Sequence, residues 1–496
     1  MRTALPTFLA VLAAGLAHGA PGMPSGNSVQ ERDQQTAESN QGQIHLLRRS
    51  STRKAGVPLH EHLNNEKARL LSKHRQGRAK VAKRQQQEAD AARGIVKRDD
   101  AEEPAMEKRA GSAQFGDQTN TLYYAAVTVG TPAKSFPVGI DSGSSDLWIS
   151  GENWKGASVS STFQKNGNEF TVSYEDGTGA SGYQGTDKVS FAGYSATTAL
   201  SVGTNLSQNA APAPADGIFG FGWPALATAQ EKPFWITSGA NVFAMYLAST
   251  NDFNNNYAYG GVISLGAPDS TYYSGSINYV SITEQIYWTV KLGGVSVGGN
   301  SLSLGSNQEA VIDSGTSLIG APNSVVQQFY SGIPNAQPVS GSSGFYEYPC
   351  SNSNLGISFT FGGQSYAIPD DNFIFETDQN NYCVGALFEN GDDGSSSSSQ
   401  FIVGDSFMRG VYTVFDGPRN AVGFASLSSS APTSGPNFNV NSGGSNSGNS
   451  GNSGNNGNGN GNGGGNSGAP ASLAPALSVV FAATLGGMVL GLASLW

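Results

Sequence analysis

The feature that most constrains the fold of this chain is a short motif that occurs twice. The first copy is VGIDSGSSDLWIS at residues 138–150, and the second is AVIDSGTSLIGAP at residues 310–322. Each copy leads an apolar run into an aspartate, Asp141 or Asp313, and then continues through small hydroxyl residues and a glycine. A carboxylate in an apolar turn is unusual, because burying a charge costs free energy. Two of them in matching settings predict a protein built from two related halves.

The composition of the central part of the chain, residues 110–427, predicts short strands separated by turns. Stretches such as LYYAAVTVG, EFTVSY, KVSFAG and VYTVFD are rich in Val, Ile, Tyr, Phe and Thr, and Gly, Asn, Asp and Ser separate them. Helical periodicity is scarce and is clearest in NSVVQQFYSGI, which follows Pro322. The pattern predicts an all-β body large enough for two lobes, residues 110–290 and 291–427.

The first 19 residues have the order of a secretory signal peptide. Arg2 precedes an apolar run from Phe8 to Leu16, and the small residues Ala17 and Gly19 fit a cleavage site. The apolar run is too short to span a bilayer. We therefore expect a secreted chain with residues 1–19 removed.

Residues 20–109 form a basic segment with almost no aromatic residues, and its last dibasic pair is Lys108-Arg109. Residues 1–109 hold 19 of the 27 Lys and Arg residues and 12 of the 37 Asp and Glu residues, so their net charge is +7 and that of the rest is −17. Opposite charges predict that this segment docks on the body as a pro-segment. A dibasic-processing protease is then expected to cut after Arg109. A solvated basic linker is the alternative.

The end of the chain has the pattern of a membrane-attachment signal. Residues 428–468 are a linker rich in Gly, Asn and Ser, and residues 469–496 end in an uncharged apolar tail. Asn466, Ser467 and Gly468 are the candidate sites of GPI attachment, after which the tail is removed. A tail-anchored helix is the alternative, which the lack of a cationic residue after the tail disfavours. We expect a cell-surface protein, bound to the plasma membrane through the GPI anchor or passed to the cell wall.

Two covalent features follow from the expected export. Cys350 and Cys383 are the two cysteines of the chain, and an oxidising compartment favours a disulfide between them. A pair of buried thiols is the alternative. Asn205 begins an N-x-[ST] sequon in the body and is expected to carry a glycan if its loop is exposed.

The positions of the histidines exclude several chemistries. All five lie before Arg109, so the predicted mature body has none. This excludes Ser-His-Asp and Cys-His nucleophilic catalysis and histidine-ligated zinc in that body. No GxxxxGK[ST] phosphate loop occurs, and the strongly acidic body is a poor partner for nucleic acid. We expect no metal and no cofactor.

Two carboxylates held close together can do the chemistry that remains. Like charges raise the pKa of one member, so that the pair shares a proton over the acidic range. The ionised member can then deprotonate a water molecule while the protonated member donates a hydrogen bond to a carbonyl. Asp141 and Asp313 are therefore candidates for peptide hydrolysis without histidine, metal or covalent intermediate.

Residues 122–427 resemble the pepsin-like aspartic proteases, in particular secreted fungal ones with a C-terminal membrane anchor. DSGSSDLW and DSGTS resemble the two active-site loops of that family, which implies that Asp141 and Asp313 are the catalytic dyad. VSYEDGTGASG resembles the flap hairpin with its tyrosine, Tyr174, and ADGIFGFG and FIVGDSFMRGVYTVFD resemble the segments that cross beneath the loops. The resemblance implies a bilobal fold with the active-site cleft between two related lobes, and a monomer that acts on peptides or proteins.

The resemblance also implies supporting roles for residues of the two loops. The hydroxyl residues that hydrogen-bond and orient the dyad would be Ser142, Ser144, Ser314 and Thr316. Gly143 and Gly315 would let backbone N–H groups and the substrate approach the carboxylates.

Outside the loops, Trp148 would support the flap tyrosine, and Asp176 in the flap would accept a basic residue on the acyl side of the scissile bond. Cys350 and Cys383 match the disulfide of the C-terminal lobe in the family. The N-terminal lobe departs from many relatives because it has no cysteine. This departure weakens any inference of the dibasic specificity of the yapsins.

Two other functions fit parts of the sequence. A catalytically inactive pepsin fold could serve as a surface-binding protein, but such a protein would have lost an aspartate or Tyr174, and this chain has all three. A glycosidase could use the two carboxylates, but nothing around them suggests a sugar site. The sequence therefore predicts a secreted aspartic endopeptidase that is made as a zymogen and acts at acidic pH.

Overall fold

The computed structural model describes residues 53, 56–92, 111–118, 122–173, 179–207, 210, 214–228, 231–249, 258–391 and 400–433. The first ten strands are β1 (Gly111–Gln118), β2 (Leu122–Val129), β3 (Lys134–Asp141), β4 (Leu147–Ser150), β5 (Gln164–Ser173), β6 (Gly179–Phe191), β7 (Tyr194–Leu206), β8 (Gly217–Gly220), β9 (Val242–Leu247) and β10 (Ala258–Leu265).

The strands that follow are β11 (Tyr273–Gln285), β12 (Trp288–Val297), β13 (Asn300–Ser301), β14 (Glu309–Ile312), β15 (Ile319–Ala321), β16 (Gln337–Pro338), β17 (Tyr346–Pro349), β18 (Ile357–Phe361), β19 (Gln364–Ile368), β20 (Ile374–Thr377), β21 (Tyr382–Gly385), β22 (Leu387–Glu389), β23 (Gln400–Val403), β24 (Val411–Asp416) and β25 (Ala421–Leu427). The helices are α1 (Leu59–Ala92), α2 (Phe234–Thr237), α3 (Asn323–Ser331), α4 (Asp370–Phe373) and α5 (Asp405–Met408), with short 3-10 turns at Gly156–Ser158 and Pro224–Leu226.

The two halves of the body repeat one arrangement around the duplicated motif. In the first half, β3 pairs in parallel with β8, and β4 pairs with β8 in the antiparallel direction. In the second half, β14 pairs in parallel with β23, and β15 is antiparallel to β23. Each motif strand therefore ends beside a short apolar strand from later in the same half. The predicted all-β, bilobal pepsin-like fold is confirmed.

Strands from both halves meet in a shared sheet beneath the loops. β9 pairs with β24, and β24 pairs with β25, which in turn pairs with β11. Every residue of β24 is buried. Burial of every residue, including the polar Thr413 and Asp416, fits a strand that is covered on both faces. The predicted lobe boundary, between residues 290 and 291, falls inside β12.

Aromatic side chains fill the space between this sheet and the loops. The rings of Phe243 and Phe415 stack with centroids 4.6 Å apart, and those of Trp223 and Trp288 lie 4.7 Å apart. The indole N–H of Trp288 donates to the carbonyl oxygen of Phe221 at 3.0 Å. Large rings contribute much buried apolar area, and the polar edge of the indole is hydrogen-bonded. Because each ring pair joins a residue of the first half to one of the second, the two halves share one core.

Helix α1 belongs to the basic N-terminal segment and packs against the body. Among the side chains of α1 that the structure describes, the buried apolar ones are Leu63, Leu70, Leu71 and Val81. Most of the other residues of the helix are polar. Leu63 and Leu70 are seven residues apart and so lie on one face. The expected docking of this segment is thus seen for α1, although the sequence did not predict a helix there. The helix that was predicted, after Pro322, is α3.

The predicted disulfide is present between Cys350 and Cys383. It joins the turn after β17 to β21, two segments that also pair as antiparallel strands. Both cysteines are buried.

Several sequence predictions fall outside the described residues. These are the signal peptide, the Lys108-Arg109 cleavage site, most of the linker, and the attachment candidates Asn466, Ser467 and Gly468. In the part of the chain that the structure describes, no helix has both the length and the apolar character needed to cross a bilayer.

Replacing both Cys350 and Cys383 by alanine should lower the free energy of unfolding, because the denatured chain gains the freedom of a 33-residue loop. The chain-entropy relation gives a loss of about 3–4 kcal/mol. Denaturant titration of the variant and of the parent measures it. Reduction of the parent protein should give the same loss. An unchanged unfolding midpoint would show that the disulfide does not stabilise the C-terminal lobe.

Candidate active site

The two motif aspartates lie at one place between the halves. Asp141 is the last residue of β3, and Asp313 follows β14 directly. A single nitrogen, Lys73 Nζ of α1, lies 2.6 Å from Asp141 Oδ1 and 2.9 Å from both carboxylate oxygens of Asp313. Since one atom touches both side chains, the two carboxylates face the same small volume. Both residues are buried.

Ser142 and Ser314 join the two loops to each other. The backbone N–H of Ser142 donates to Ser314 Oγ at 3.1 Å, and that of Ser314 donates to Ser142 Oγ at 2.9 Å. Each hydroxyl then donates to a carbonyl of the opposite loop, Ser142 to Ile312 at 3.1 Å and Ser314 to Ile140 at 3.0 Å. We call these four hydrogen bonds the loop brace. The hydrogen bonds that the structure describes for these two serines position the loops. The carboxylates are not their partners in these bonds.

Each carboxylate also receives the same two donors from its own loop. One donor is the N–H of the motif glycine and the other is the hydroxyl that follows it: Gly143 N to Asp141 Oδ1 at 2.8 Å, Ser144 Oγ to Asp141 Oδ2 at 2.5 Å, Gly315 N to Asp313 Oδ1 at 2.9 Å, and Thr316 Oγ1 to Asp313 Oδ2 at 2.6 Å. These bonds fix the orientation of both carboxyl planes and favour their ionised form.

The motif glycines are required by the closeness of the opposite loop. A β-carbon at Gly143 would collide with the carboxylate of Asp313, and one at Gly315 would collide with that of Asp141. The cross-contacts are reciprocal, as expected for two related loops. Any larger residue at either position would push the carboxylates apart.

Helix α1 supplies a second group to the site. His74 Nε2 lies 2.9 Å from Asp313 Oδ2, and the hydroxyl of Tyr287 donates to the carbonyl oxygen of His74 at 3.1 Å. The sequence reasoning missed both Lys73 and His74 as residues of the site. The available signal was the apolar pair Leu70-Leu71 just before them, which marks the buried face of a polar segment.

The electrostatics of the site differ between the two carboxyls. Burial raises the pKa of Asp141 above its ordinary value, with a further rise from Asp313 and an opposing effect of Lys73. Burial also acts to raise the pKa of Asp313, but Lys73, His74 and Thr316 outweigh it and hold that pKa well below its ordinary value. Burial acts to lower the pKa of Lys73, and the two carboxylates overcome it and raise that pKa. Both shifts favour an ion pair between the Lys73 ammonium and the Asp313 carboxylate.

The other predicted site residues either lie apart from the dyad or are not among the residues that the structure describes. Trp148 is buried and packs on Phe170 with ring centroids 6.1 Å apart. Tyr174 and Asp176 are not among the described residues. Asn205 lies on the exposed part of β7. Within the described ranges, no group of three or more His, Cys, Asp or Glu side chains could hold a metal ion.

Two braced carboxylates in a cleft between related β lobes define an aspartic-type peptidase site. The family described as "Eukaryotic aspartyl protease" has a sequence model that matches residues 122–427. The chain therefore belongs to the eukaryotic aspartyl protease family, the pepsin-like aspartic proteases, and is an aspartic-type endopeptidase.

Curated relatives include fungal and vertebrate enzymes. The "Major aspartyl peptidase 1" of Cryptococcus neoformans var. grubii serotype A is 37% identical over 357 residues, 65% of this chain and 72% of that protein. The "Aspartic protease" of Phaffia rhodozyma is 35% identical over 342 residues, 64% of this chain and 80% of that protein. "Pepsin A" of Sus scrofa is 32% identical over 339 residues, 64% of this chain and 84% of that protein.

The Ser314→Ala variant should be markedly less stable, because it leaves two buried backbone groups, Ser142 N–H and the Ile140 carbonyl, without their hydroxyl partner. The expected loss in free energy of unfolding is about 2–4 kcal/mol, given the cost of unpaired buried polar groups. Denaturant titration measures it. Ser331→Ala, which removes an exposed hydroxyl on α3, is the matched control and should change little. Equal stability of both variants would contradict the loop brace.

Proposed function

We propose that this protein is made as an inactive precursor and that, once α1 is released, it hydrolyses peptide bonds at acidic pH with a water molecule activated by Asp141 and Asp313. The observation that carries the proposal is the contact of Lys73 Nζ with both carboxylates. Peptides and proteins are the substrates expected for an endopeptidase of this family.

The proposed hydrolysis uses the dyad as one acid and one base. Without Lys73, two carboxyls that share one volume hold one proton between them over the acidic range. The ionised carboxylate removes a proton from water, whose oxygen attacks the peptide carbonyl carbon. The protonated carboxyl donates to the carbonyl oxygen, and the resulting tetrahedral species breaks its C–N bond as the leaving amine takes up a proton.

The proposed inhibition follows from the same contacts. The Lys73 ammonium lies where the water must bind, and its charge opposes protonation of Asp313. Helix α1 also fills the cleft in which a substrate chain would lie. Neither proton transfer can therefore begin while the helix is docked.

Charge pairs along the segment support its docking. Arg78 Nη2 lies 2.7 Å from Glu284 Oε1, and Arg53 Nε lies 3.0 Å from Glu376 Oε1. Glu376 is buried. Basic groups of the segment thus contact acidic groups of the body at the dyad and beyond it, as the charges of the two parts predict.

Acid should release the segment, and the sign follows from Asp313. Docking holds the pKa of Asp313 below its ordinary value, so this contact stabilises the docked state at pH values above the ordinary carboxyl range. The stabilisation declines as the pH falls through that range toward the lowered pKa. Protonation of Asp313 then removes one of the negative charges that balance the Lys73 ammonium. The docked state becomes less stable relative to the released state.

Secretion and surface attachment complete the proposal. They are supported by the signal-like residues 1–19, the linker and the attachment candidates Asn466, Ser467 and Gly468 in the sequence. We further propose a monomer whose segment is removed by a dibasic-processing protease at Lys108-Arg109. The inactive surface-binding alternative gains no support, since both carboxylates keep their full set of donors.

Asp141→Asn and Asp313→Asn should each abolish cleavage of a peptide substrate by the processed enzyme, because an amide can neither accept the proton of water nor share one. Turnover of a fluorogenic peptide at several acidic pH values measures this. Asp269→Asn, in the loop between β10 and β11, is the control and should keep normal activity. Substantial turnover in either dyad variant would exclude the mechanism.

A precursor carrying Lys108→Ala and Arg109→Ala should stay largely inactive near neutral pH and gain activity on acidification. Adding Lys73→Met should shift activation to a less acidic pH, because the dyad then holds no ammonium. The pH at half-maximal rate of peptide cleavage is the measurement. Lys83→Met, which changes an exposed lysine of the same helix, should leave that pH unchanged. Precursor and processed enzyme with equal activity at every pH would rule out the zymogen.

A further inference from the structure

Arg78 of α1 occupies a site whose shape and polarity match a guanidinium group. Its Nη2 lies 2.7 Å and its Nη1 3.4 Å from the two carboxylate oxygens of Glu284. Its Nε donates to Gln400 Oε1 at 3.0 Å, and its central carbon lies 5.5 Å from the ring centroid of Tyr287. The carboxylate and the amide oxygen accept hydrogen bonds from the N–H groups of one guanidinium, and the aromatic ring lies near its flat face.

The residues of this site belong to the body and not to α1. Glu284 lies near the end of β11, Tyr287 follows in the turn before β12, and Gln400 begins β23. The hydroxyl of Thr289 donates to Glu284 Oε1 at 3.0 Å, which holds the carboxylate in place from the body side. The site therefore keeps its parts when the pro-segment is removed. We call it the Glu284–Gln400 site.

The position of the site along the cleft follows from the helix. Arg78 is five positions after Lys73, whose nitrogen marks the dyad. An α-helix rises about 1.5 Å per residue, which places Arg78 roughly 7–8 Å along the axis from Lys73. An extended peptide advances about 3.3 Å per residue, so the same distance corresponds to two or three substrate residues.

We propose that in the released enzyme the Glu284–Gln400 site binds an arginine side chain of the substrate, two or three residues from the scissile bond. The proposal rests on the proposed function, and it deepens that function by naming a class of substrate: peptides with an arginine near, but not at, the cleaved bond. It concerns different residues and a different position from the predicted role of Asp176.

The site should discriminate arginine from lysine. A lysine ammonium is a compact point charge, and it cannot reach both oxygens of Glu284 and the amide oxygen of Gln400 with the geometry of the planar guanidinium. The ion pair is partly open to solvent, because the side chains of Arg78 and Glu284 are 39% and 24% exposed. Solvent screening therefore limits the gain in affinity, and the preference for arginine should be moderate.

A peptide series tests the site directly. All members share one cleavable apolar pair, and a single arginine is moved through the four positions on each side of it, with norleucine and lysine at the same positions for comparison. For the processed enzyme, kcat/KM should rise about threefold to tenfold for arginine over norleucine at one position two or three residues from the bond. Lysine should give a smaller rise.

Variants of the body connect that preference to the site. In Glu284→Gln and in Gln400→Leu, the arginine-to-norleucine ratio of kcat/KM should fall toward one. Glu347→Gln is the control: it removes a carboxylate of β17 whose described hydrogen bond is with Gln337, and the ratio should stay as in the parent. A ratio that Glu284→Gln does not lower, or an arginine preference confined to the residues next to the scissile bond, would overturn the proposal.

Binding without turnover separates this proposal from the proposed function. The Asp141→Asn variant of the processed protein should bind the arginine peptide several-fold more tightly than the norleucine peptide, and adding Glu284→Gln should remove the difference. Failure of the parent enzyme to cleave the arginine-free peptide contradicts the proposed function alone. Equal dissociation constants for the two peptides contradict the Glu284–Gln400 site, whatever the activity of the parent.

Discussion

The geometry of the site depends on the loop brace, the four buried hydrogen bonds between Ser142 and Ser314 and the opposite loops. Asp141 and Asp313 come from separate halves, and like charges repel, so nothing in the carboxylates themselves brings them together. The brace does so with neutral groups, whose bonds gain strength from burial. The motif glycines then allow the close approach that the brace imposes. Small hydroxyl residues and glycine are thus required together, which explains why the motif recurs as a unit.

The sequence predicted those parts of the structure that depend on local pattern or on repetition. The duplicated motif predicted the two halves and the aspartates, strand composition predicted the all-β class, and the periodicity after Pro322 predicted α3. The disulfide followed from the expected compartment and from the number of cysteines. The first three signals are carried by residues close together in the chain or by a second copy of the same pattern, and the disulfide left no choice of partner because the chain has two cysteines.

The role of α1 could not be predicted from the sequence in the same way. Lys73 is 68 residues from Asp141 and 240 from Asp313, and it is one of many basic residues in a polar segment. Only the fold decides which lysine reaches the dyad, because a helix presents one residue in three or four to a given surface. The hydroxyl pairs illustrate the same limit: Ser142 and Ser144 are similar in sequence, yet one binds the opposite loop and the other binds its own aspartate.

Helix α1 contacts both halves of the body at once. Asn64 donates to the carbonyl oxygen of Gly341 in the second half, whereas Lys80 and Arg84 donate to carbonyl oxygens of the segment 225–228 in the first. The docked helix therefore spans the two halves and adds cross-links between them. The two halves are thus joined three times over, by the docked helix, by the shared sheet and by the loop brace, and only the first of these joins involves the basic N-terminal segment.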